Sequence, residues 1–242
     1  MSKLTTSKLI EFKSRAQFLI ISFPIIFLVF ACYQFNFNTS IYYRLFGVSE
    51  TGFFEWVQFV VYLVAAVVGF FSYKALRGNS AFQKQRILML LFTIGLFLIA
   101  FEEVSWGQHI FKWESPEVFQ EINRQKETNV HNMRPVQRKL HNTFILVGLY
   151  GGLAWRFKNR KNNLDVKDFI FPDKLIALYF LPTAVFYFHF KFLNRLKLYV
   201  IGNHQEVVET LLSLGFLLLA ISNLAKAKSL AAQKLDLARE LN

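Results

Sequence analysis

The sequence predicts an all-α fold, a polytopic membrane helix bundle of about six transmembrane helices, with an outer-face loop that carries a short interfacial helix. Three observations predict it. Of the 242 residues, 54% are apolar, and they are gathered into long blocks. Each block is long enough, at about 1.5 Å of rise per residue, to cross much or all of a ~30 Å hydrocarbon core. The charges alternate between the connections: 18 of the 28 lysines and arginines fall on the side that carries both termini, which the positive-inside rule makes cytoplasmic.

The six spans are read as 17–35, 54–74, 87–103, 136–157, 172–189 and 206–224. The first has no convincing small-residue cleavage signal after it, so it reads as a retained signal anchor. It holds Cys32, the only cysteine, which excludes an intramolecular disulfide and a cysteine-rich metal site. The second span opens on Glu55-Trp56, and the third ends on Glu102-Glu103. Met133-Arg134-Pro135 starts the fourth, in which Gly148 and Gly152 make a small-xxx-small pair suited to close helix packing. The fifth carries Pro182, expected to kink it, and closes in an aromatic run around His189, read as an interfacial packing residue. The sixth opens on Glu206 and Glu209. The whole chain, 1–242, reads as a single integral membrane domain, with an outer-face loop at 105–135 and a cytoplasmic helical tail at 225–242.

The loop is too polar for the membrane core and too short for an independent domain, so it should fold against the bundle. Ser115-Pro116 predicts a helix start, a hydroxyl cap followed by proline at the first helical position, and Val118, Phe119 and Ile122 follow at helical spacing. Trp106, Phe111 and Trp113 precede it and read as interface anchors.

The net charge of +12 is mainly a topology signal. Nucleic-acid binding explains it poorly, because the basic residues are distributed by side of the membrane rather than as a patch; the cytoplasmic loops are instead suited to anionic lipid. Acidic residues run the other way. Glu50, Glu55, Glu102, Glu103, Glu114, Glu117, Glu121, Glu127, Glu206 and Glu209 all fall on the outer side.

On this topology the polar residues at the membrane boundary share one depth. Glu55, Glu102, Glu103, Glu206 and Glu209 come from three spans, with His131, His141, His189 and His204 near the same level. If the third span continues as helix, Glu102, Ser105, Trp106 and His109 form one stripe; Glu206, Glu209, Thr210 and Ser213 form another. Carboxylates facing lipid cost several kcal/mol, so the two stripes should face each other or a common cavity. Two carboxylate-bearing helices with histidines can hold a divalent metal, and the candidate ligands are Glu103, Glu206, Glu209 and His131. No HExxH motif is present to specify one. Without a metal, closely apposed carboxylates repel when both are ionised and would serve as an acid/base pair or a proton site. Ser105 has no nucleophile-elbow sequence around it, so its hydroxyl is expected to bond its own helix backbone.

Two strings are specific enough to carry a resemblance: Glu102, Glu103, Ser105, Trp106, Gly107 and Gln108, then Asn123, Gln125, Glu127, Thr128, Asn129, His131 and Asn132. In these the chain resembles a family of uncharacterised bacterial multi-pass inner-membrane proteins that carry EExSWGQ followed by NxQxETNxHN. Members usually place arginine where this chain has His109. The resemblance implies a bacterial cytoplasmic (inner) membrane setting, in which the outer-side site read from the topology would be periplasmic-facing, and it implies no activity.

The chemistry expected from the residues is that of a hydrolase or transferase acting on a membrane lipid or lipid-linked substrate. Glu102, Glu103 and His131 are the candidate catalytic groups. Ser105, Trp106, Gln108, Asn123, Gln125, Glu127, Asn129, Asn132 and Glu55 are the candidate substrate contacts, although Asn123, Gln125, Glu127, Asn129 and Asn132 could equally satisfy the buried backbone of a re-entrant loop. Two other classes use the same residues: a proton- or cation-coupled carrier with the glutamates as its ion site, and an assembly subunit that docks a membrane-protein partner or a second copy through the loop. The inner halves of the second, third and sixth spans are nearly all apolar, which argues for a pocket open on one side only.

Overall fold

The computed structural model describes residues 3–46, 52–77, 80–158, 166–193 and 204–240. Glu50, the basic residues within 159–165 and 194–203, and the last two residues of the tail lie outside the described residues. The described elements are α1 (Lys3–Phe37), α2 (Thr39–Phe46), α3 (Phe53–Ala75), α4 (Gln83–Glu103), α5 (Gln108–Phe111), α6 (Glu117–Ile122), α7 (Arg134–Leu153), α8 (Val166–Ile170), α9 (Ala177–Phe188) and α10 (Gln205–Glu240). No strand occurs among the described residues; one antiparallel bridge pairs Asn123 with Met133 across the base of the loop.

Five segments are long and apolar enough to cross a membrane: Ser14–Phe37, Phe53–Ala75, Ser80–Glu103, Val166–Phe192 and Gln205–Gln233. The chain is therefore a multi-pass, all-helical membrane protein. The sequence-predicted span at 136–157 is not among the five. Its helix, α7, is 20 residues long, but its first turns carry Arg134, Gln137, Arg138, Lys139, His141 and Asn142, and these dilute the apolar second half. The fifth predicted span also begins earlier than expected, with α8 and a 3-10 turn at Lys174–Ile176 before α9, and it ends in a wide turn over His189–Leu193.

The helices pack as an arc. α3 lies against both α4 and α10, α9 against α10, and α7 against α9; no extensive interface joins α4 to α7 across the opening of the arc. In lipid, helix association comes from close packing rather than from a hydrophobic driving force. The contacts are accordingly made by small residues. Ala65 and Ala66 of α3 are buried in one cluster with Leu96 and Ala100 of α4 and Ala220 of α10, and a methyl at Gly69 would lie 2.7 Å from the Thr93 hydroxyl. On α7, a methyl at Gly148 would lie 2.5 Å from the Ala184 backbone nitrogen, and methyls at Gly151 and Gly152 would run into Phe180 and Leu181. α1 and α2 share a buried cluster with Tyr179 and Phe180 of α9 and Val207 and Leu211 of α10; Phe23 of α1 lies on Tyr179 at 6.5 Å, and Phe27 meets Phe46 of α2 and Phe54 of α3 at 5.8 and 5.6 Å.

Side-chain contacts tie the α7, α9 and α10 side of the arc together at two depths. At one, Thr183 donates to the Val208 carbonyl at 3.1 Å and the His141 ring lies 5.2 Å from that of Tyr187. At the other, Lys158 pairs with Asp173, the Ser222 hydroxyl donates to Asp173 at 2.8 Å, and Asn223 donates to the Phe169 carbonyl at 3.0 Å. α7 therefore runs through the same depth as α9, from the level of Tyr187 to that of Asp173. The segment read as a helical tail continues α10 without interruption to Glu240.

Candidate functional site

The loop between α4 and α7 starts with an abrupt helix stop. α4 ends at Glu103 because Val104 leaves the helical region and the next three residues have positive φ: Ser105 at 47°, Trp106 at 55° and Gly107 at 84°. Gly107 suits that geometry; Ser105 and Trp106 do not, at roughly 1–3 kcal/mol each. The predicted stripe of Glu102, Ser105, Trp106 and His109 on one continuous helix therefore does not form.

What holds the turn is a set of bonds that the expected helix would have prevented. The Ser105 hydroxyl donates to Glu127 rather than to its own backbone, and the Asn129 amide donates to Ser105 Oγ and to Glu127 Oε2, both at 2.8 Å. His109 Nε2 lies 3.0 Å from Glu127 Oε1. Glu102 accepts the Trp106 indole N–H at 2.7 Å and the backbone N–H groups of Val130 and His131 at 2.7 and 3.1 Å, with His131 Nδ1 at 3.5 Å.

The rest of the loop is satisfied internally, as buried polar groups must be. Asn123 donates to the carbonyl and side chain of Asn129, and its Oδ1 accepts from the Gln125 and Glu127 backbone N–H groups. Asn132 donates to Gln125. Gln108 accepts the Thr128 N–H at 2.7 Å and donates to Ser115 at 2.9 Å. Because the Ser115 hydroxyl is engaged there and with Thr128, it does not cap α6. That helix begins at Glu117, with Pro116 in the cap position, one residue later than expected.

Beneath the loop lies a cavity of about 380 Å³. Glu55 and Tyr62 reach it from α3, Ile99, Glu102 and Glu103 from α4, and Tyr187 from α9. Glu206, Glu209, Leu212 and Phe216 come from α10, and α7 contributes a wall that includes Gln137, Leu140, His141, Phe144 and Val147. The loop supplies Gln125, Glu127, Asn129, His131 and Asn132, with His109 from α5. The outer half is thus acidic and imidazole-bearing, and the deeper half, at Val147, Leu212 and Phe216, is apolar. No lysine or arginine lines it among the described residues.

The structure brings together Glu55, Glu102, Glu103, Gln125, Glu127, Asn129, His131, Asn132, Glu206 and Glu209 of the candidate residues. Ser105, Trp106, Gln108 and Asn123 do not line the cavity. Ser105 and Asn123 are buried inside the loop that forms its wall, and Trp106 packs on the Phe101 ring at 5.8 Å.

The carboxylates differ in what holds them. Glu55 accepts the Gly52 N–H at 3.2 Å at the start of α3. Glu206 accepts from Gln58 Nε2 at 2.9 Å, and Glu209 accepts from the Tyr187 hydroxyl. Glu103 has no hydrogen-bond or ion-pair partner among the described residues, although the carboxylates of Glu209, Glu206, Glu55 and Glu102 are all within electrostatic range. Tyr62 is 3% exposed and lines the same cavity, and its hydroxyl is likewise without a partner among the described residues. Gln58 is fully buried, and its Oε1 has no hydrogen-bond partner among the described residues.

The residues expected as metal ligands, Glu103, Glu206, Glu209 and His131, share this cavity without forming a coordination set. Among the described residues no three Asp, Glu, His or Cys side chains converge as ligands would, and His131 turns instead toward Glu102.

Sequence reasoning placed His141 at this level but missed Tyr62, Tyr187, Gln58 and the rest of the α7 wall. Gln58 had a signal, a lone amide one turn after Glu55 in an apolar run. Tyr62 and Tyr187 had none, since they stand among aromatic residues that mostly face lipid or core.

Near the site, outside the spans, the Tyr42 hydroxyl and His204 Nδ1 are 2.5 Å apart, with Phe35 edge-on to the imidazole at 4.7 Å. Burial lowers the His204 pKa below the ordinary imidazole value and raises that of the Tyr42 phenol above the ordinary tyrosine range.

Compared with protein families, with curated proteins and with solved structures, the chain matches none.

Proposed function

We propose that the chain is a six-span bacterial inner-membrane enzyme that hydrolyses a lipid or lipid-linked substrate, or transfers a group from it, at the periplasmic leaflet. In this reading α7 is the sixth span, both termini are cytoplasmic, and α6 lies on the outer membrane surface beside the interfacial Phe111 and Trp113. The resemblance to the EExSWGQ/NxQxETNxHN family fits this setting. Both strings contribute to one wall of the cavity, and Glu127 and Asn129 of the second bind Ser105 of the first.

One observation carries the reading: Glu103 is an unpartnered carboxylate in a cavity that is polar at its outer end and apolar below, and that lies where α4 and α7 fail to close on each other. An amphiphile entering sideways would place its head group against the carboxylates and leave its chains toward Val147, Leu212, Phe216 and the bilayer. A general base needs a free lone pair within reach of the proton it takes, and Glu103 alone among these carboxylates has no donor already bound. Glu103 would take the proton of the attacking water or acceptor hydroxyl. Glu209, bonded to Tyr187, or His131, held by Glu102, would return a proton to the leaving oxygen or nitrogen. Gln125 and Asn129 would contact the head group.

The test is to incubate the protein in nanodiscs with a total bacterial lipid extract and follow individual lipids by mass spectrometry, wild type beside Glu103→Gln. Consumption of one lipid class by wild type, reduced about 100-fold or more in the variant as loss of a general base predicts, supports the reading. Equal turnover in both, or none by wild type, removes it and leaves the carrier and assembly readings.

A further inference from the structure

We propose that the head group this cavity takes is a cation, the ammonium group of an amine-bearing amphiphile, rather than a phosphate or sulfate. The proposal rests on the enzymatic reading only for the site's location; it concerns which charge the site binds.

The lining is one-sided in charge. Glu55, Glu102, Glu103, Glu127, Glu206 and Glu209 face the cavity, and no lysine or arginine among the described residues does. Sites that take phosphate present forked guanidinium groups, lysines or a helix N-terminus aimed at the ligand. The first turns of α3, α7 and α10 do reach this cavity, but those of α3 and α10 present the carboxylates of Glu55 and Glu206 there. The imidazoles do not supply that charge. His109 is committed to Glu127 and His131 to Glu102, while His141 lies between the rings of Tyr187 and Phe190 at 5.2 and 5.1 Å. An anionic head group would be desolvated among six carboxylates with amide donors but no lysine or arginine to offset its charge, which is the costly arrangement for a buried charge.

Three further features point to a ligand and fit an ammonium in particular. Tyr62, 3% exposed, turns a hydroxyl without a partner among the described residues onto the cavity. Its lone pairs accept N–H donors. Glu103 offers an unused carboxylate on the same cavity, and the Tyr62 phenol is within electrostatic range of Glu103, Glu209 and Glu206. Aromatic side chains of Tyr62, Phe144, Tyr187 and Phe216 also line it, with Phe144 stacked on Tyr187 at 4.6 Å, and ring faces attract ammonium groups. An ammonium carries three donors and no acceptor, matching a lining of carboxylate and phenol oxygens. The apolar floor accommodates the first methylenes of an attached chain.

The experiment uses two probes that differ only in head group, dodecylammonium and dodecyl phosphate, below their micellar concentrations, with the full-length protein in neutral-lipid nanodiscs. Binding is read by native mass spectrometry and by the shift in thermal unfolding. Dodecylammonium should bind and raise Tm, and dodecyl phosphate should do neither. Glu103→Gln should weaken the ammonium probe about tenfold, and Glu121→Gln, on the exposed face of the loop, should leave it unchanged. Equal or tighter binding of dodecyl phosphate overturns the proposal. So does stabilisation by Mg²⁺ or Mn²⁺ alone that excludes dodecylammonium, since the carboxylates would then be a metal's. The comparison of probes on wild type stands even if a variant fails to fold. It is also independent of turnover: selective amine binding without lipid consumption would leave this inference standing and remove the hydrolase or transferase reading.

Discussion

Replacing Glu127 tests whether the loop that roofs the cavity is held by its side chains. Its carboxylate accepts from the Ser105 hydroxyl, the Asn129 amide at 2.8 Å and His109 at 3.0 Å. Glu127→Ala leaves Ser105 and Asn129, each 1% exposed, without that acceptor, whereas His109 is open enough to turn to water. Asn129 keeps its bond to Ser105 Oγ, so its loss is partial. A buried donor left unpaired costs about 1–3 kcal/mol, and the pair together should lose about 2–4 kcal/mol. The positive-φ conformations of Ser105 and Trp106 then lose their counterweight, and the turn should open. Glu127→Gln behaves differently. Its amide oxygen can still face Ser105 and Asn129 while its NH₂ donates to a neutral His109 ring, so only the charge-assisted part is lost, about 1 kcal/mol. Unfolding free energies in lipid nanodiscs, with hydrogen exchange of the amides in 105–133, check both variants. An alanine variant within about 0.5 kcal/mol of wild type, with loop protection unchanged, would refute the argument, and so would a glutamine variant as damaging as alanine.

Three further outcomes are expected. Gly148→Ala places a methyl 2.5 Å from the Ala184 backbone nitrogen, which cannot give way, so α7 must move off α9 at a cost of about 1–3 kcal/mol; Gly95→Ala meets nothing within 4 Å and should stabilise by about 0.5–1 kcal/mol, and equal unfolding stabilities for the two would contradict the α7–α9 packing. His204 is kept neutral by burial, so its folded pKa lies below an unfolded value of about 6.5. Its contribution is complete above that value and is lost as pH falls through the depressed folded pKa, because the unfolded chain takes the proton more readily. His204→Gln keeps an acceptor for Tyr42, and its Tm should fall less than that of wild type as pH is lowered from about 7 to 5. In a Cys32→Ser background, a membrane-impermeant maleimide added to intact cells should label Glu117→Cys and not Lys158→Cys; labelling of both or neither would reject α7 as a sixth span.

Much of the site was legible in the sequence because cost is local. A carboxylate in an apolar run must face something other than lipid wherever the helix is placed, and Glu55, Glu102, Glu103, Glu206 and Glu209 all line the one cavity on that account. Helix continuation was the weak assumption. The 101–111 stretch has helical spacing, but its backbone is set by bonds from Ser105 to Glu127 and from Glu102 to Val130 and His131, across more than twenty residues of chain, and no local periodicity reports those. Residues expected as direct ligand contacts, Ser105, Gln108 and Asn123, proved to be fully engaged within the loop for the same reason.

Hydropathy and charge act residue by residue against the solvent and the bilayer, so the chain alone already gave the class of the protein, a multi-pass helical bundle with ten of its sixteen acids on one side. Which polar groups are engaged and which are not follows from neighbours that the fold brings together. Glu102 and Glu103 are adjacent in the chain and chemically identical, yet one accepts an indole and two backbone N–H groups while the other faces the cavity without a donor among the described residues. That difference arises because α4 stops between them and the loop, turning the chain over Glu102 and leaving Glu103 to the bundle interior. Hydrogen-bond saturation is a property of neighbours brought from elsewhere in the chain, and here it separates a fully engaged carboxylate from one without a donor among the described residues.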